Sequence, residues 1–214
     1  MLHIKAFQVN LLYVNCYVIS DDTKEACIID PGCMNESEWK VINSYIQENG
    51  LKPQHMLCTH LHFDHILGCG YVYRDYKLQT EANNADRYLY ENIDAHLQRF
   101  GLPPHQTPPF PPIQHINENQ LISFGDHKLQ VIYTPGHSQG GVCFYCKEED
   151  LLIAGDSLFH GSIGRTDFPE SNHESLINAL NNKILTLPDS TNVLCGHGQY
   201  TTIGYERQHN PFIN

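Results

Sequence analysis

Three apolar runs in the second half of the chain end in the same way. Tyr133-Thr134-Pro135-Gly136-His137, Leu152-Ile153-Ala154-Gly155-Asp156 and Val193-Leu194-Cys195-Gly196-His197 each close on glycine and then on a side chain that can ligate a metal. Upstream lies a fourth piece, Thr59-His60-Leu61-His62-Phe63-Asp64-His65. A fold that uses all four must gather strand ends at one edge of its sheets. Glycine at each end lets the backbone bend and clears room beside the next side chain. Taken singly, a His after Gly is usually a turn residue and an Asp at a strand end is usually a cap. One cluster together with three matching strand ends outweighs those readings.

In an extended segment side chains alternate, so His60, His62 and Asp64 point one way and His65 requires the chain to turn. The cluster then splits into pairs: His60 and His62 can chelate one ion, and Asp64 and His65 can reach a second. Neutral imidazole and carboxylate suit zinc, iron or manganese, and three protein ligands with an open position mark a catalytic site. His3, His55, His96, His105, His115, His127, His160, His173 and His209 lack such a frame. They are expected at the surface or in loops, with His160 close enough to Asp156 in sequence to support it.

The remainder reads as strands, helix, strand, helix, strands, helix, strand. Ile4–Val9, Leu12–Ser20, Glu25–Ile29, His55–Thr59, Lys128–Tyr133, Gly141–Cys146, Leu151–Ala154 and Asn192–Cys195 have strand character. Asn35 and Glu38 form a capping pair before Trp39, Ile42, Tyr45 and Ile46, and Asn49-Gly50 stops that helix. Ala85, Leu89, Ile93 and Leu97 predict a helix within 81–100, and Ser171 with Glu174 predicts the start of another. Six prolines make 101–114 an extended loop, either a surface connector or a wall of the site. Strands and helices do not alternate as a Rossmann domain or β/α barrel requires. The order fits one α+β domain over 1–214, a two-sheet sandwich with helices outside.

Composition narrows the function. The 13 Lys+Arg against 24 Asp+Glu give a net charge of −11, which opposes nucleic-acid binding. No apolar run approaches the roughly 20 residues of a membrane helix. The 8 Cys do not form a disulfide framework, and the start of the chain lacks a secretory signal, so a cytoplasmic location is expected. Cys143 and Cys146 sit in a strand, where i and i+3 face opposite ways, and are read as buried structural thiols.

The motif set resembles the metallo-β-lactamase superfamily, from Asn15-Cys16-Tyr17 and Ile29-Asp30-Pro31-Gly32 through to Asn210-Pro211-Phe212. The resemblance implies a four-layer αβ/βα sandwich, two mixed β-sheets flanked by helices, with metals at one edge. Within the superfamily the chain looks most like the glyoxalase II branch. Asp156 stands where several β-lactamases place cysteine, and Gly161-Ser162-Ile163-Gly164-Arg165-Thr166-Asp167-Phe168 resembles a segment of the compact glyoxalase-II-like hydrolases and of persulfide dioxygenases. Carried over, His60, His62 and His137 hold one ion, Asp64, His65 and His197 hold a second, and Asp156 bridges them. Two divalent ions are implied, zinc first, with iron or manganese as the other candidates. Longer glyoxalase II chains carry a further helical region that helps hold glutathione. This chain stops at Asn214, so modest glutathione selectivity is expected.

The implied reaction is hydrolysis of a small-molecule thioester or related ester by a metal-bridging hydroxide. Local positive charge from the ions admits an anionic acyl substrate into an acidic protein. Asp64 and Asp156 are the catalytic carboxylates of this reading. For Arg165 an ion pair with Asp167 is preferred over a grip on substrate carboxylate. The alternative is a mononuclear iron persulfide dioxygenase built from His60 or His62 with His137 and Asp156.

Overall fold

The computed structural model describes residues 1–213. The first half builds one sheet in chain order: β1 (Leu2–Val9), β2 (Val14–Asp21), β3 (Glu25–Ile29), β4 (Lys52–Leu57), β5 (Thr80–Ala82) and β6 (Ile113–His115). Helices α1 (Glu36–Glu48), α2 (Phe63–Ile66), α3 (Cys69–Tyr76), α4 (Arg87–Glu91) and α5 (Ile93–Arg99) lie between its strands in sequence. The second half supplies β7 (Leu121–Phe124), β8 (His127–Tyr133), β9 (Val142–Cys146) and β10 (Leu151–Gly155). A small hairpin of β11 (Leu158–Phe159) and β12 (Ser162–Ile163) follows, then α6 (His173–Ala179), β13 (Asn192–Cys195), β14 (Thr201–Thr202) and α7 (Ile203–His209). The second sheet runs β14-β13-β10-β9-β8-β7. Both sheets are mixed: β3/β4, β4/β5, β5/β6 and β10/β13 pair parallel, the rest antiparallel.

Period-two alternation makes the layers. Cys16 and Val18 of β2 pack with Trp39, Ile42 and Ile46 of α1, whereas Tyr17 and Ile19 face the other sheet. Phe144 and Cys146 of β9 meet them there, and Cys143 and Tyr145 turn outward to Leu176 and Leu180. Strands buried on both faces need near-continuous apolar runs, and these have them. The result is the expected α+β four-layer αβ/βα sandwich. Cys143 and Cys146 do face opposite ways, and all eight cysteines are buried and free.

Several local expectations shift. The 81–100 stretch is a short inner strand followed by a broken helix, because Asn92 at φ −117°, ψ 36° interrupts it. Asn172, not Ser171, caps α6 by accepting from Ser175 N. Asn35 caps α1 as expected, but the Glu38 carboxylate accepts from Met34 N and Asn10 N. The proline segment is a connector: Phe110 packs on Tyr90, and a Cβ on Gly70 would lie 1.9 Å from the Pro108 carbonyl oxygen.

His127 is not a surface group. It is buried at the sandwich end opposite the histidine cluster, where Nδ1 lies 3.1 Å from Asp21 Oδ2 and Nε2 lies 2.9 Å from Glu149 Oε1. Two carboxylate acceptors require two N–H donors, so the pair holds imidazolium. Burial opposes that charge, but Glu149 and Asp21 outweigh it and raise the His127 pKa. A raised folded pKa stabilises fully below the unfolded value, about 6.5, and the gain is lost as pH rises through the folded value. His127→Phe is therefore expected to cost more stability at pH 6 than at pH 9 in urea unfolding. Equal losses at both would mean the ring acts by packing alone.

Candidate metal centre

Strand ends deliver the site. β4 ends at Leu57, and the chain runs through Thr59 to His62 without regular structure before α2 begins at Phe63. Thr59 therefore lies beyond the strand predicted for it. Asp64 and His65 ride on the first turn of α2, which supplies the predicted turn at His65. His137 follows β8, Asp156 follows β10 and His197 follows β13. Gly155 has φ 48°, and a Cβ there would strike Thr59 Oγ1 at 2.2 Å. A Cβ on Gly196 would lie 2.2 Å from Asp156 Oδ1. Both glycines give the ligand-type side chains room to converge.

All seven predicted residues meet. His60, His62 and His137 bring one ligand atom each within 4.8 Å of one another, as do Asp64, His65 and His197. A third trio, His60, His65 and Asp156, joins the two groups. Asp156 Oδ1 lies 3.5 Å from His65 Nε2, and Oδ2 lies 3.6 Å from His137 Nε2 and 3.5 Å from His197 Nε2. Asp64 Oδ2 lies 3.3 Å from His197 Nε2.

The far side of these rings is tied down. His65 Nδ1 donates to Asp30 Oδ2 at 3.0 Å, His137 Nδ1 to Arg165 O at 2.8 Å and His197 Nδ1 to Leu12 O at 2.9 Å. These bonds leave Nε2 of each ring with its lone pair toward the centre. His60 Nδ1 lies 3.1 Å from Thr59 Oγ1, which donates to Asp30 Oδ2 at 2.7 Å. Inside, His60 Nε2, His65 Nε2 and Asp156 Oδ1 are buried with no hydrogen-bond partner, and His62 turns Nδ1 to the cluster. His62 Nδ1 and His137 Nε2 lie only 2.9 Å apart. Since His137 donates through Nδ1, its Nε2 is an acceptor, and a proton or a cation must mediate that contact. Buried unpaired acceptors are costly, and their convergence here fits bound cations.

The electrostatics agree. Burial pushes Asp156 up, but His65, His197 and His60 outweigh it and hold the carboxyl well below its usual range. Burial also opposes charge on His197, yet Asp156 and Asp64 raise its pKa to about 9. Burial and then the neighbouring rings lower His60, and burial with His137 brings His62 down to about 3. The carboxylates thus stay ionised and His60 and His62 stay neutral, whereas the carboxylates favour a proton on His65 and His197 that a bound cation would have to displace.

Sequence reasoning missed the supports. Asp30 is buried at φ 51° and accepts from Thr59 N at 2.7 Å as well as from His65. Asp86 is fully buried and accepts from Leu61 N, Ser138 Oγ and Gly140 N, which joins the cluster segment to the His137 loop. Ser171 donates to the His137 carbonyl at 2.7 Å. Arg165 pairs with Asp167 through two 2.7 Å bonds, the preferred reading, and lies over Phe168. His160 is exposed and stacks on Tyr205 at 4.6 Å. His96 is buried beside His62 and Phe63. Its signal was present: Ile93, His96, Leu97 and Phe100 share one helical face.

The centre opens on a crevice with two lobes. The smaller, about 260 Å³, has Phe63, His96, Phe100 and Phe168 on its walls. The larger, about 570 Å³, is lined by Phe159, His160, Ser162, Ile163 and Gln199. His137, Asp156, Arg165 and His197 border both. An apolar groove of about 440 Å³ between β1 and β13 is lined by none of the seven residues.

The family model of the metallo-β-lactamase superfamily matches residues 9–197, a span that runs to the last of the seven residues. The chain belongs to the metallo-β-lactamase superfamily. Membership supports metal-dependent hydrolysis as the class of chemistry. Over its whole length the chain is 35% identical to hydroxyacylglutathione hydrolase GloC of Haemophilus influenzae, covering 99% of that protein. The solved structure of the B3 metallo-β-lactamase BLEG-1 superposes with a TM-score of 0.89 at 34% identity, over 99% of this chain and 100% of that one. TTHA1623, solved in a di-iron-bound form, gives 0.85 at 35% identity, over 97% and 99%. Among the described residues no helix is long and apolar enough to cross a membrane.

Proposed function

We propose that the chain is a binuclear metal-dependent thioester hydrolase of glyoxalase II type. The observation that carries this reading is the pair of three-residue ligand groups with Asp156 between them. His60, His62 and His137 would hold one divalent ion, Asp64, His65 and His197 the other, and Asp156 both. Bound there, two such ions would supply an ionised water at neutral pH and polarise the carbonyl under attack. Asp30, Leu12 and Arg165 would fix ring orientation through the bonds described above. Outer partners of this kind are typically worth 10–100-fold in metal affinity or activity. Asp64, buried at the edge of the smaller lobe, would serve first as a ligand of the second ion. The similarity to GloC favours an acylglutathione thioester, and the two lobes accommodate the two halves of such a molecule.

The test is metal analysis of purified, metal-replete protein beside three assays: hydrolysis of an S-acylglutathione, hydrolysis of a chromogenic β-lactam, and oxygen uptake with a persulfide. Two ions per chain with thioester hydrolysis dominant are expected. One iron per chain with oxygen uptake, or β-lactam turnover exceeding thioester turnover, would overturn the proposal.

A further inference from the structure

We infer that His96 is a specificity-determining residue, the hydrogen-bonding group that reads a polar substituent on the acyl half of the substrate inside the smaller, aromatic lobe. The inference rests on the thioester-hydrolase reading and goes beyond it by assigning a residue outside the seven.

His96 is 5% exposed, and its Nδ1 is buried with no hydrogen-bond partner. Phe63 at 5.4 Å, Phe100 at 5.6 Å and His62 at 5.3 Å surround the ring. An imidazole ring carries two nitrogens able to donate or accept a hydrogen bond. A buried polar group without a partner is costly to keep and is commonly reserved for function. Apart from the Nε2 of His62, which also lacks a partner, the other polar side chains bordering this lobe are engaged. His62, Asp64, His137, Asp156 and His197 belong to the metal centre, and the Arg165 guanidinium is held by Asp167. His96 is left to meet the substrate.

Size assigns the lobes. The carbonyl carbon must sit by Asp156, which borders both, and the two halves of a thioester diverge from it. About 260 Å³ walled by aromatic rings suits a short acyl chain, and about 570 Å³ with a wider mouth suits the thiol carrier. A buried site built to hydrogen-bond a substituent discriminates strongly against the analogue lacking it.

The experiment compares kcat/KM for two S-acylglutathiones with the same carbon skeleton, one with a hydroxyl on the acyl chain and one without. The wild type is expected to prefer the hydroxylated substrate. His96→Phe keeps the ring packing and removes both nitrogens, so that preference should fall tenfold or more with metal content unchanged. His96→Gln should recover part of it. Should the Phe variant fail to fold, the wild type alone still decides: the free hydroxy acid should inhibit competitively at lower concentration than its deoxy analogue. Unchanged preference, equal losses on both substrates or equal inhibition by both acids would overturn the role of His96. A wild type that hydrolyses neither thioester would overturn the hydrolase reading, and this inference with it.

Discussion

Replacing Asp156 with alanine should remove nearly all hydrolysis, at least 10³-fold in kcat/KM, about 4 kcal/mol of transition-state stabilisation. Asp156 faces His65, His137 and His197 through its two oxygens, so its loss reaches both ligand groups at once. Metal content should fall from two ions per chain, measured on the same preparation as the rate. Helices and strands should persist, because β10 keeps its ladder to β9 and β13. An alanine variant that retained both ions and the wild-type rate would show that Asp156 is not shared.

His65→Ala should separate the hydrolase from the dioxygenase of the same fold. His65 is fully buried and belongs to the group with Asp64 and His197. Its removal leaves Asp30 with two donors, Thr59 N and Thr59 Oγ1, so the local backbone is still held. In a binuclear hydrolase the second ion weakens and the developing oxyanion and leaving thiolate lose electrostatic support. A loss of about 10²–10³ in rate is expected. In a mononuclear iron enzyme built on His60 or His62 with His137 and Asp156, the iron should stay and oxygen uptake with a persulfide should survive. Robust uptake in both wild type and variant would sink the hydrolase.

The ligand candidates were legible because ligand chemistry and strand termination coincide in sequence: an apolar run, glycine, then His or Asp. The sandwich was legible because strands such as β9 and β10 are apolar on both faces. The supports were not. Asp30 and Asp86 act through bonds to backbone and side chains 25 to 54 residues away, and no local pattern encodes such contacts. The helix expected over 81–100 failed because apolar residues at fours do not register the break at Asn92, or a three-residue inner strand that its neighbours β4 and β6 hold in place. His96 was misplaced because histidine was weighed as a polar residue and not by its position on the apolar face of α5.

The eight buried thiols give each layer its own clock. Cys16, Cys33, Cys58 and Cys69 lie between the first sheet and its helices, Cys27 and Cys146 between the sheets, and Cys143 and Cys195 beneath α6 and α7. Burial pushes Cys143 and Cys146 up to about 11, so the native protein offers alkylating reagents little thiolate there. A cysteine reacts when its layer opens, and the protection of each reports the free energy of that opening. Site-resolved alkylation by mass spectrometry would then order the three interfaces by their resistance to opening, without introducing a single label or mutation.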